Sequence, residues 1–192
     1  LWSARHLKSI LLPVYWIAQF VGAILAVLLL GLFTGKGYGL DFSHFGTINF
    51  GVLGVEVLGA AVFLFGILAV TSSEKLSSTG KAFGVGLSLT IALLVSSSAF
   101  SSLQGSIDTS KVNISDTATI PREYSVKGSV LNPAVALAVT ENTPTQLSGY
   151  NATNEEVKYS RLGLEVILGT LIGAAIGANL YMLSAGVNVF EK

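Results

Sequence analysis

The chain contains no cysteine, two histidines and few charged residues. Without cysteine it cannot form disulfides, thiolate nucleophiles or soft-metal sites. The 11 basic and 11 acidic residues give a net charge of zero, so there is no excess positive charge with which to bind nucleic acid. His6 and His44 lie far apart in the sequence and form no metal-ligand pattern. The sequence therefore predicts no cofactor, no metal site and no nucleic-acid partner.

Long hydrophobic runs are what the chain does have. Hydrophobic residues make up 51% of the sequence, and they concentrate in four runs, at residues 10–33, 49–70, 81–103 and 162–185. Each run is about 20 residues or slightly longer, which matches a hydrocarbon core about 30 Å thick. Gly169, Gly173 and Gly177 recur every fourth residue in the last run, the spacing that lets two membrane helices pack closely. The runs predict an all-α membrane protein with four transmembrane helices in a lipid bilayer.

Between the third and fourth runs lies the triplet Asn132-Pro133-Ala134. Asparagine is a preferred helix cap and proline is favoured at the first helical position, so the triplet predicts a helix that begins here. Residues 133–139 provide only about 10 Å of helix at roughly 1.5 Å per residue, too little to cross a bilayer. A short helix at membrane depth is tolerated where it is buried in protein or lines a water-filled cavity. The triplet therefore predicts a re-entrant half-helix beside a pore, with simple capping by Asn132 as the alternative.

Acidic residues inside the runs are candidate functional groups, because a charge in the membrane is expensive. Glu56 lies within the second run, where a proton relay is one candidate role, although no His or Asp partner occurs in the runs. Glu165 is near the start of the fourth run, where we expect a solvated face.

The basic residues do not settle the orientation of the chain in the membrane. If the half-helix enters from outside, five lie on the inner side and six on the outer side, with Arg161 among the six.

Taken in order, these features resemble the major intrinsic protein family, the aquaporins and glycerol facilitators. Residues 18–23 (Ala-Gln-Phe-Val-Gly-Ala) are similar to an element of that family's third span, and Glu56 stands where the fourth span has a buried glutamate. Residues 81–87 resemble the start of the fifth span, and residues 171–178 resemble the sixth. Residues 128–134 resemble the loop of the second Asn-Pro-Ala triplet.

The resemblance implies an aquaporin-like right-handed helical bundle built as an inverted repeat. A full member has six spans and two half-helices, so this chain resembles a partial channel domain that lacks the first two spans and the first triplet. Residues 1–8 would then be the exit of the first half-helix. Members are usually homotetramers with one pore per subunit, and the plasma membrane is the expected location. No reaction is catalysed, so the chain is not expected to be an enzyme.

The resemblance also implies roles for single residues. Asn132, Pro133 and Ala134 would form the pore constriction, with the Asn132 amide donating to passing water. Glu56 would support the loop that carries the triplet. We expect Gln19 either to support the same loop or to be a polar packing group.

The selectivity filter departs from the family pattern. Most members have arginine directly after the triplet, where this chain has Val135. Ile91 stands where water-selective members often have histidine, and Ser129 is the third filter position. Ile91, Ser129 and Val135 together would make a less polar and wider filter, so the choice between water and a larger neutral solute such as glycerol stays open.

The sequence leaves three interpretations of function open. The first is a passive channel for water or small uncharged solutes, with protons and ions excluded. A secondary transporter could also place a broken helix at the membrane midplane, although Glu56 is its only candidate coupling carboxylate. A non-conducting structural or adhesion member of the same family is the third reading, since the filter arginine is absent.

Overall fold

Five helices make up most of the structure. A computed structural model describes residues 11–35, 42–106, 123, 126, 128–141 and 159–186. In chain order the elements are α1 (Leu11–Thr34), α2 (Phe50–Thr71), α3 (Ser78–Gly105), α4 (Pro133–Ala138), β1 (Thr140–Glu141), β2 (Tyr159–Ser160) and α5 (Leu164–Ser184). Residues 1–8, expected to be the exit of a first half-helix, lie outside the described residues.

Four of the helices are long and apolar enough to cross a membrane. They are α1, α2, α3 and α5, with lengths of 24, 22, 28 and 21 residues. The fifth, α4, has six residues and is too short to cross a bilayer. The prediction of an aquaporin-like, all-α membrane protein is confirmed.

Side chains fix where α2 and α3 begin and how they are joined. The Asn49 side chain accepts a hydrogen bond of 2.9 Å from the Val52 N–H at the start of α2. Ser77 caps α3 by accepting a bond of 3.2 Å from the Gly80 N–H. Such caps satisfy N–H groups that have no partner within the helix. Lys81 closes the connection, because its ammonium donates to the Thr71 carbonyl at the end of α2 at 2.9 Å.

Helix α2 lies at the centre and packs most extensively against α5, then against α3. Gly173 and Gly177 of α5 lie directly against backbone carbonyls of α2, those of Val57 and Ala61. A side chain at either glycine would collide with those carbonyls, so the helices could not approach this closely. The glycine spacing of the fourth run therefore packs α5 onto α2.

The half-helix α4 lies between α1 and α5. Ala136 and Leu137 of α4 form a buried apolar cluster with Leu162 and Val166, and Phe20 of α1 packs against it. The two-residue strands β1 and β2 pair in antiparallel fashion and connect the end of α4 to the start of α5. This arrangement holds α4 within the helix bundle.

Candidate functional site

The amide of Asn132 has both of its polar ends in use at the N-terminus of α4. Its Oδ1 accepts a hydrogen bond of 2.9 Å from the Ala134 N–H, which makes it the helix cap, and Pro133 follows as the first helical residue. Because Oδ1 is held by the helix, Nδ2 must point away from it. Nδ2 donates to Gln19 Oε1 of α1 at 3.3 Å, a long hydrogen bond. The structure thus brings together Gln19 and Asn132, and it orients the asparagine as a donor.

Glu56 of α2 holds the loop that precedes the triplet. One carboxylate oxygen, Oε1, accepts from the Val130 N–H and from Arg161 Nη2, both at 3.0 Å. The other, Oε2, accepts from the Ser129 hydroxyl at 2.9 Å and from the Leu131 N–H at 3.0 Å. A carboxylate has about four acceptor positions, and these four bonds use that number. Three of the four donors belong to residues that directly precede Asn132.

Leu131, directly before the triplet, has an unusual backbone conformation. Its φ is 56°, in the left-handed region that non-glycine residues rarely adopt. Such a conformation costs on the order of 1–3 kcal/mol and persists where the surroundings hold it. Here the Glu56 carboxylate accepts from the Leu131 N–H, and the Leu131 side chain packs against Gly59. The sharp turn that points Asn132 into the bundle is therefore held by α2.

Arg161 and Glu165 are buried beside Glu56, which the sequence did not predict. The side chain of Arg161 is 2% exposed, and those of Glu56 and Glu165 are fully buried. Arg161 Nη1 lies 3.6 Å from Glu165 Oε1, so the guanidinium stands between two carboxylates. The expectation of a solvated face for Glu165 is wrong, because Arg161 folds inward and provides its counter-charge.

The sequence carries no sufficient local signal for this pair. Arg161 and Glu165 are four residues apart, but Arg161 precedes α5 (Leu164–Ser184), so the spacing of neighbours on a helix surface does not apply to it. Across the described ranges, no group of three or more His, Cys, Asp or Glu side chains is arranged to hold a metal ion. We therefore interpret the cluster as an ion-pair network.

The three residues assigned to the filter differ in their surroundings. Ser129 is buried, and its hydroxyl donates to Glu56. Ile91 in α3 and Val135 in the first turn of α4 are 45% and 46% exposed. The structure thus couples Ser129 to the loop support and leaves two apolar side chains accessible.

A cavity of about 270 Å³ opens beside the triplet. By the volume that water occupies in the liquid, roughly 30 Å³ per molecule, it could hold several waters or a small polyol. Its walls are mostly apolar, and the side chains of Gln19 and Asn132 supply amide groups. The lining residues are Trp16, Gln19, Phe20, Leu131, Asn132, Pro133, Ile167, Thr170, Leu171 and Ala174.

Comparison with known proteins identifies the family. The family model "Major intrinsic protein" matches residues 1–105, more than half of the 192 residues. This range includes α1, α2 and α3, and with them Gln19 and Glu56. No curated protein and no solved structure matches the chain at a significant level. The chain belongs to the major intrinsic protein family, whose members are membrane channels for water or small solutes.

Proposed function

We propose that this protein is a passive channel that lets water and small uncharged solutes such as glycerol cross the bilayer in single file past Asn132. The observation that carries the proposal is the orientation of the Asn132 amide. Its oxygen is held by the Ala134 N–H at 2.9 Å, so the nitrogen is a fixed donor at the wall of the cavity. A passing water must present its oxygen to that donor.

Proton and cation exclusion belongs to the same proposal. The N-terminus of α4 carries the partial positive charge of the helix dipole, and it lies at the same point as the Asn132 donor. Water molecules oriented by this donor cannot form a continuous proton wire, and cations are repelled by the positive helix end. The resemblance predicts a second Asn-Pro-Ala half-helix, and in this proposal it faces Asn132 across the pore.

The proposed solute choice rests on the residues that the resemblance assigns to the filter. With Val135 in place of a fixed positive charge and Ile91 in place of an imidazole, the filter presents apolar surface to the permeant. An apolar ring offers few hydrogen bonds to replace those that water loses. We propose that Ile91, Ser129 and Val135 form a filter that admits neutral solutes larger than water.

Osmotic response of proteoliposomes tests the channel. The intact protein, expressed from its complete coding sequence, is reconstituted into liposomes. The vesicles are then exposed to a hyperosmotic step in glycerol concentration, and light scattering reports their volume. We expect vesicles to shrink faster than empty liposomes and then to re-swell as glycerol enters. Shrinkage and glycerol entry no faster than in empty liposomes would support the non-conducting structural or adhesion reading.

Gradient dependence separates a channel from a secondary transporter. A transporter would need a coupling carboxylate, but Glu56 already accepts four hydrogen bonds within the protein. We therefore expect solute flux to follow the solute gradient alone. Uptake that requires a proton or sodium gradient would instead favour a transporter.

The assembly and location that we propose are a homotetramer in the plasma membrane. The support is the family membership. Native mass spectrometry of the detergent-solubilised protein should give four copies, and surface labelling of intact cells should reach the protein. A monomer by mass, or label that reaches only internal membranes, would contradict this part of the proposal.

A further inference from the structure

Arg161 is tied to the half-helix from both sides. Its backbone N–H donates to the carbonyl of Val139, directly after α4, at 2.8 Å. Its guanidinium donates to Glu56 at 3.0 Å, and Glu56 in turn accepts from the two N–H groups that precede Asn132. One residue therefore connects the segment after the half-helix to the loop before it.

The guanidinium does not face the solvent. Arg161 is 2% exposed, and it is absent from the residues that line the cavity beside Asn132. Placing a charge in such surroundings is unfavourable unless it is paired and hydrogen-bonded. Glu56 supplies one partner, and Glu165 lies 3.6 Å away on the other side. The guanidinium charge is thus paired with the protein's own carboxylates.

We propose that Arg161 is a positioning residue that sets the shape of the Asn132 loop through Glu56. It holds the Glu56 carboxylate in the one orientation in which both oxygens meet the loop. The left-handed turn at Leu131 depends on that orientation, because the Leu131 N–H donates to Oε2 while Arg161 donates to Oε1. Without the guanidinium, the carboxylate can rotate and the turn loses its support.

Glu165 completes the arrangement. It lies in the first turn of α5, where a carboxylate interacts favourably with the helix dipole. Its oxygens are close to Gly163, since a Cβ at that position would be 3.0 Å from each of them. Glu165 is therefore fixed against its own helix end and keeps the guanidinium from moving away from Glu56.

Hydrogen exchange of the intact protein tests the positioning role without any need for transport. The variants are Arg161→Met, Arg161→Lys and, as the control, Lys81→Met, which removes a cation that donates to the exposed Thr71 carbonyl. In Arg161→Met we expect the amides of residues 130–131 to exchange about tenfold faster or more, since the lost bond involves two charged groups. The amides of α2 should accelerate much less than those of residues 130–131, and Lys81→Met should match the wild type at residues 130–131.

Arg161→Lys keeps the charge but lacks the planar fork of donors, so its exchange should lie between wild type and Arg161→Met. If Arg161→Met does not fold, Arg161→Lys decides: faster exchange concentrated at residues 130–131 supports the proposal. Unchanged exchange at residues 130–131 in a folded variant overturns it. Equal acceleration in α2 also overturns it, because that pattern indicates a general loss of stability.

Selectivity is the second readout, and this part rests on the proposed function. In proteoliposomes, Arg161→Met should change the ratio of glycerol to water permeability and increase proton leak, because the donor at Asn132 moves. A fall of both permeabilities by one factor, with no change in leak, indicates fewer folded channels and overturns the positioning role. If the wild type conducts neither permeant, the proposed function fails while the exchange experiment still decides this inference.

Discussion

Gly169 of α5 lies directly against Glu56 of α2. A Cβ added at Gly169 would be 2.6 Å from the Cβ of Glu56 and 3.2 Å from the carbonyl oxygen of Leu53. Both distances are shorter than normal contacts, and one neighbour is backbone that cannot rotate away. The residue that holds the Asn132 loop is therefore itself positioned by a helix contact in which only glycine fits.

Gly169→Ala should destabilise the protein and disturb the loop. The extra methyl must push α5 away from α2 or displace Glu56, and such overpacking costs roughly 1–3 kcal/mol. Equilibrium unfolding in mixed detergent micelles measures this loss. The control is Gly54→Ala in α2, which has no atom within 4 Å among the described residues. Because alanine favours helix, the control should be neutral or gain up to about 1 kcal/mol. Equal stability of the two variants would show that α5 and α2 do not pack this closely.

The helices and the half-helix could be predicted from sequence because they depend on local quantities. Run length and composition suffice for α1, α2, α3 and α5, since backbone groups in a bilayer must be satisfied within the helix. The start of α4 was readable from Asn132 and Pro133, whose capping and φ preferences are intrinsic to the residues.

The buried ion-pair network of Glu56, Arg161 and Glu165 could not be predicted from local sequence. Arg161 follows a polar loop, and nothing local distinguishes an inward-facing arginine from a solvated one. Its burial depends on Glu56, which is 105 residues away in the chain. The conformation of Leu131 is a second example, since leucine disfavours a φ of 56° and adopts it here through contacts with α2. Tertiary contacts decide both cases.

Glu56→Gln should be among the most destabilising single substitutions in the chain. The amide of glutamine places a donor where the carboxylate accepts, and it leaves the Arg161 charge without its closest partner. Removing one member of a buried pair typically costs about 3–5 kcal/mol. The free energies of unfolding of the wild type, Glu56→Gln, Arg161→Met and the double variant form a double-mutant cycle.

We expect the double variant to be less destabilised than the sum of the single variants, by about 0.5–3 kcal/mol. The matched control is the pair Glu56→Gln and Lys81→Met, whose sites share no contact in the structure and whose effects should add. Additive effects for Glu56 and Arg161 would show that the two side chains act independently.

Asn132→Asp should abolish water permeation while leaving α4 capped. Aspartate is an equally good cap for the Ala134 N–H, but it has no amide to donate and it adds a negative charge. A permeating water would then meet an acceptor in place of a donor. The shrinkage rate of proteoliposomes, normalised to incorporated protein, measures the effect.

Asn49→Asp is the control, because Asn49 is also a helix cap whose Nδ2 donates to a side-chain oxygen, that of Glu123 at 2.8 Å. Asn49 is not among the residues that line the cavity at the triplet, so this variant should conduct water at the wild-type rate. If Asn132→Asp conducted water as fast as Asn49→Asp, the assignment of Asn132 to the pore would be wrong.

Val135→Arg should restrict the channel toward water. Val135 is 46% exposed in the first turn of α4, so a longer side chain has room to extend into the filter. An arginine there would narrow the passage and add a fixed positive charge with five donors. Glycerol permeability should fall more than water permeability, and both are measured in the same vesicles.

Leu183→Arg provides the control, because Leu183 is 75% exposed near the C-terminal end of α5. An arginine there can extend toward the membrane interface, so the ratio of glycerol to water permeability should stay as in the wild type. If Val135→Arg also left that ratio unchanged, Val135 would lie outside the filter. Solute choice would then have to depend on residues other than the one that follows the triplet.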